Sequence, residues 1–166
     1  MKKATRILMA AFVMAATFGF ASCGDDTKDN TDPQPGQTYE ESASYSILFN
    51  GNAVAAGSTV ESEEGFKVDL LLANKTDGAL DTRFKVEKVS GPDAMNKIGV
   101  CIDVCTDQNC PYTSPNLNIA AGGQQYISIE YLSERATSMT ATYKLTVGEG
   151  LALNNPQVIF VKLNVN

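Results

Sequence analysis

No histidine and no tryptophan occur among the 166 residues. Without histidine, this chain cannot build a Ser-His-Asp triad, a histidine-bearing zinc centre or an imidazole acid–base pair. A Gly-x-Ser-x-Gly elbow, a glycine-rich strand-to-helix segment for phosphate and an Asp-x-Asp-x-Asp-Gly calcium loop are also missing. Glu61-Ser62-Glu63-Glu64 reads as a solvated turn, not an acid–base pair. Basic residues are scarce, with 13 Lys and Arg against 19 Asp and Glu. That balance argues against nucleic acid as a partner, because affinity for a phosphate backbone rests on cationic side chains. A protein that is not an enzyme, with no cofactor and no metal, is therefore expected.

What is present starts with an export signal. Lys2, Lys3 and Arg6 precede an apolar run from Ile7 to Phe20. The run is too short to span a bilayer as a helix and suits a signal-peptide core. It ends in Phe20-Ala21-Ser22-Cys23, which resembles the lipobox of bacterial lipoproteins, with Phe in place of the usual Leu. The resemblance implies lipidation of Cys23 and membrane attachment through that lipid. The bland alternative is an ordinary secretory signal followed by a chance cysteine. Residues 1–22 are thus expected as signal peptide, 23–41 as a tether and 42–166 as the folded domain. Gly24–Thr38 holds four Asp, two Pro and no aliphatic or aromatic side chain, so ordering it would not be repaid by burial. Fully extended, it would reach roughly 30–50 Å. Acidic residues just after the lipidated cysteine resemble the signal that sends some Bacteroidota lipoproteins to the cell surface. The expected location is the outer membrane, with surface exposure.

From Ser42 onward, alternation with period two dominates. Tyr45, Ile47 and Phe49 form one stripe before the turn pair Asn50-Gly51. Phe66, Val68, Leu70 and Leu72 oppose Lys67, Asp69, Leu71 and Ala73; Ile98, Val100, Ile102 and Val104 make a third stripe. Ile127, Ile129 and Tyr131, then Met139 to Val147, then Ile159 to Val165 repeat the pattern. Arg83–Ser90 reads equally as a short charged strand or a helical turn. Seven to nine strands separated by Gly, Asn and Pro predict an all-β fold of two packed antiparallel sheets. An up-and-down barrel is the structural alternative.

Three cysteines remain after Cys23. With Cys101 and Cys105 in one extended strand, their Cα atoms would lie roughly 13 Å apart, beyond disulfide reach. A bridge then uses Cys110, either with Cys105 across Thr106–Asn109 or with Cys101 across a longer hairpin. Cys105–Cys110 is favoured, leaving Cys101 as a free thiol. A metal site from the three cysteines with Asp103 or Asp107 lacks paired C-x2-C knuckles. Tyr126 faces away from the Ile127–Ile129 stripe, and with Tyr112 it is a candidate ligand contact.

Phe49-Asn50-Gly51-Asn52, Gly57-Ser58-Thr59-Val60, the segment from Val100 to Tyr112, Leu117 to Gly123 and Ala141-Thr142-Tyr143 together resemble immunoglobulin-like β-sandwich lipoproteins of the Bacteroidota type. The resemblance implies a structural cysteine pair, which favours Cys105–Cys110, and no assigned activity. The expected role is a lipid-anchored sandwich that binds or scaffolds another envelope protein or component. Alternatives are a glycan-binding accessory module of an uptake system, or a fimbrial or other assembly subunit.

Overall fold

Buried and more exposed side chains largely alternate along Lys67–Asn74, Leu80–Ser90 and Met139–Glu149 of the computed structural model, which describes residues 37–61, 65–131 and 138–165. The expected signal peptide, Cys23 and most of the expected tether lie outside the described residues. In chain order the strands are β1 (Tyr45–Phe49), β2 (Asn52–Ala53), β3 (Thr59–Glu61), β4 (Lys67–Asn74), β5 (Leu80–Ser90), β6 (Lys97–Cys101), β7 (Cys105–Asn109), β8 (Tyr112–Thr113), β9 (Leu117–Ile119), β10 (Gln124–Glu130), β11 (Met139–Glu149) and β12 (Asn154–Val165). A 3-10 turn, Asp93–Asn96, precedes β6.

Two six-stranded sheets pack face to face. The first runs β2-β1-β4-β10-β6-β7; the second runs β3-β12-β11-β5-β8, with β9 also on β5. This is the expected all-β immunoglobulin-like sandwich. Eight longer strands fall in the expected range, and four pieces of two or three residues supplement them. Every pairing is antiparallel except β3 with β12. Arg83–Ser90 resolves as strand, inside the eleven-residue β5.

The core follows the period-two stripes. Tyr45, Ile47, Val68, Leu70 and Leu72 of the first sheet meet Phe84, Val86, Tyr143, Leu145, Ile159 and Val161 of the second, each at most 1% exposed. Transfer of such side chains from water, at about 1.5–3 kcal/mol apiece, is the main force holding the sheets together. On both lateral sides the chain itself passes between sheets. The β2–β3 connection crosses at Gly57, whose N–H donates to the Val158 carbonyl at 2.7 Å. The β7–β8 connection crosses at Cys110 and the cis Pro111.

Three expectations about packing change. Val104 is 74% exposed, because Ile102–Val104 is a turn and not the continuation of β6. Phe66 is exposed, because the chain bends at Gly65-Phe66 before β4 begins. Tyr39, counted with the tether, packs edge-on against Phe160 at 5.9 Å between ring centroids, so contact with the sandwich begins before Ser42.

Candidate functional site

Strand parity on the first sheet sends Val68, Leu70 and Ile127 inward and their neighbours outward. Register then aligns the outward set: Leu71 opposite Leu48 and Tyr126, Asp69 opposite Ser128, and Lys67 opposite Glu130. Leu48, Leu71, Asp69 and Tyr126, with the Asn50-Gly51 turn, line a shallow depression of about 220 Å³. The turn takes left-handed φ at both positions, 50° at Asn50 and 77° at Gly51, as a two-residue hairpin connection requires.

Polar geometry at this depression is fixed. The Tyr126 hydroxyl donates to Oδ1 of Asp69 at 2.7 Å. Lys67 Nζ lies 3.0 Å from Oδ2 of the same carboxylate. Partial burial pulls the Asp69 carboxyl upward, but the Tyr126 hydroxyl, the neighbouring Ser128 hydroxyl and the Lys67 ammonium with its charge outweigh it and hold it below the usual carboxylate range. Partial burial, with the Asp69 carboxylate next, pushes the Tyr126 phenol up. The site therefore presents an ionised acceptor, a neutral phenol and an ammonium around an apolar floor. An Asp held ionised is a poor proton donor, so this carboxyl is not suited to general-acid chemistry.

Two strands further across the same face lies the disulfide, and here the expected pairing is corrected. Cys101 bonds Cys105, with Cα atoms 3.9 Å apart. Cys110 holds the free thiol, and Cys101 does not. The physical reason is chain reversal. Ile102–Val104 turns the chain so that Cys101 and Cys105 become facing partners of β6 and β7. Thr106–Asn109, expected as the turn, is instead strand, and it puts Cys105 and Cys110 at opposite ends of β7. The Cys110 thiol is half-buried, and burial pushes its pKa up despite the Lys88 N–H and charge. A carboxylate oxygen of Glu130 lies 3.5 Å from Sγ of Cys101. Cys101, Cys105 and Glu130 bring their ligand atoms within 4.8 Å of one another, but the disulfide consumes both sulfurs.

Tyr112 and Tyr126, paired as candidate contacts, sit on different sheets. Tyr112 is half-buried and packs edge-on on Phe84, 6.1 Å between centroids. Tyr126 is 41% exposed and keeps its place in the site. Sequence reasoning missed Asp69, Lys67, Leu48 and Leu71 as its neighbours. The available signal was apolar Leu48 and Leu71 at solvent-facing parity. A second recess of about 280 Å³ lies where the amino-terminal segment enters, lined by Glu40, Glu41, Ser42, Glu149 and Asn155. Like-charged carboxylates dominate it.

No family model and no curated protein matches the sequence. Among solved structures, the N-terminal domain of PorA is similar with a TM-score of 0.51 at 12% identity, over 72% of this chain and 96% of that one. A chaperone–tip adhesin complex of CFA/I fimbriae is similar at 0.44 and 10%, over 73% and 57%. A PapD-like domain of human CEP192 is similar at 0.36 and 14%, over 77% and 89%. At these identities the likeness concerns the fold alone.

Proposed function

We propose that this chain is a non-catalytic binding module of the bacterial cell envelope, held at the outer membrane by lipid on Cys23. It presents the outer face of the Tyr126 sheet to another envelope component. The observation that carries the reading is the outward grouping of Tyr126, Asp69 and Lys67 beside Leu48 and Leu71. An exposed ring and apolar floor supply contact area, and a fixed ion pair supplies orientation. Assembly by a donated strand is the weaker reading, because β2–β3 and β7–β8 already carry the chain across both sides of the core.

The test is site-specific photocrosslinking in cells. A benzophenone side chain replacing Leu71 is expected to yield a defined adduct, and the same group replacing Thr142, on the outer face of the second sheet, is not. Equal labelling from both positions, or none from position 71, would count against the Tyr126 face as the binding surface.

A further inference from the structure

We infer that the depression beside Tyr126 takes one neutral pyranose ring, seated with a C–H face on Tyr126 and the leucines and with adjacent hydroxyls directed at Asp69. This deepens the proposed function by naming the ligand class, and it rests on the Tyr126 face being the binding surface.

Four features select that chemistry. The first is size: about 220 Å³ lies below the roughly 300–1,000 Å³ typical of drug-sized ligands and leaves space for a single ring. The second is shape and polarity. A pleated sheet face offers a flat floor, and Leu48, Leu71 and the Tyr126 ring make that floor apolar. A flat molecule with one hydrocarbon face matches it.

The third feature is the direction of the free hydrogen-bonding capacity. A carboxylate has about four acceptor positions and no donor. Tyr126 and Lys67 engage Asp69 from its two oxygens and the Ser128 hydroxyl stands beside it, so the acceptor capacity that remains calls for a ligand that donates. Neighbouring hydroxyls on a ring do so without bringing charge. The fourth is charge balance. Lys67 stands 3.0 Å from Asp69 and faces Glu130 across the strands, so a cation approaching the Asp69 carboxylate meets an ammonium, and an uncharged ligand meets no such opposition. An arginine or lysine side chain of a partner protein, the other chemistry that stacks on tyrosine and meets a carboxylate, would have to displace or oppose Lys67.

Saturation-transfer difference NMR on the full chain tests this, using methyl glycosides of glucose, galactose, mannose and N-acetylglucosamine. A single-ring contact on an open surface predicts millimolar affinity, so each glycoside is supplied at about 20 mM. At least one is expected to receive saturation, strongest at the ring protons of one face. Tyr126→Ala and Asp69→Asn should each raise the Kd read from a glycoside titration about tenfold, while Tyr126→Phe, which keeps the ring, should change it much less. No transfer to any glycoside would overturn the inference, as would a Kd that Tyr126→Ala leaves unchanged. Transfer to N-acetyl-arginine methylamide in place of the sugars would overturn it in favour of a basic peptide. If adducts from position 71 persist while all four glycosides fail, the sugar assignment falls and the binding surface stands; loss of both removes the surface itself.

Discussion

The hydroxyl of Tyr45, on the first strand, donates to the carbonyl oxygen of Val147 at 2.7 Å across 102 residues of sequence. It also accepts from the Gln157 N–H at 3.0 Å. Val147 and Gln157 are themselves facing partners of β11 and β12, next to the irregularity before Glu149. One phenol from the first sheet therefore stands in the ladder of the second, where two backbone groups would otherwise lack partners. At the opposite side of the core, Tyr143 reaches back to the Met95 carbonyl at 2.7 Å. Each sheet is thus tied to a backbone group beyond its own strands by a buried phenol, which fixes their alignment beyond what apolar contact specifies.

Tyr45→Phe should destabilise the domain by about 2–3 kcal/mol, because it orphans buried backbone groups as well as losing its own hydrogen bonds. Burial, reinforced by the Glu149 charge and only partly offset by the Gln157 N–H, pushes the Tyr45 phenol up to about 12. A pKa above the ordinary 10 means that the folded state holds the proton more tightly than the unfolded chain. The stabilisation is complete below pH 10 and declines as pH rises from 10 to 12. Urea unfolding across that range should show a flatter decline for Tyr45→Phe than for the parent; parallel curves would contradict the assignment.

Non-reducing peptide mapping after alkylation should find Cys101 joined to Cys105 and the alkyl group on Cys110. Because the bridge spans only three intervening residues, Cys105→Ala should cost about 1–3 kcal/mol, at the low end for disulfides. Cys110→Ser should leave the bridge intact. A peptide containing Cys105 linked to Cys110 would contradict the observed pairing.

Gly91 has φ of 107°, and a Cβ there would lie 2.5 Å from Cβ of Ala141 and 2.7 Å from the Thr140 carbonyl oxygen. Gly91→Ala combines a disfavoured backbone conformation with a clash against β11, so thermal or urea unfolding should show a loss of about 2 kcal/mol or more. Gly122→Ala is the control. Its φ is also positive, but its Cβ would meet nothing within 4 Å, so the cost should be visibly smaller.

Cys23→Ala should leave the protein unlipidated and release it from membranes in a carbonate wash, and globomycin should block maturation of the parent chain but not of the variant. Retention of Cys23→Ala in the washed membrane would show that something other than lipid on this cysteine holds it.

Alternation made the sandwich legible: the Tyr45–Ile47, Val68–Leu72, Ile127–Ile129 and Ala141–Val147 stripes are all buried. Asn50-Gly51 announced its own turn, since glycine and asparagine tolerate left-handed φ. Period two is blind to a reversal that preserves it, however. Ile102 and Val104 continue the parity of Ile98 and Val100 through a turn with no Gly, Pro or Asn, so the strand seemed to run on and the cysteines seemed too far apart. The parallel pairing of β3 with β12 and the two-residue β8 depend on tertiary contacts that short segments do not encode. At the candidate site, parity identified Tyr126 as outward-facing. Its alignment with Asp69 and Leu71 required the β4–β10 register, which alternation alone leaves open by steps of two.

Contact between Tyr39 and Phe160 gives the molecule a direction. Phe160 points outward from the second sheet yet is only 4% exposed, with the Tyr39 ring edge-on against it. Tension applied through residue 37 therefore enters on the Phe160 side. A domain moored by that end turns the opposite face, with Tyr126 on it, away from its attachment.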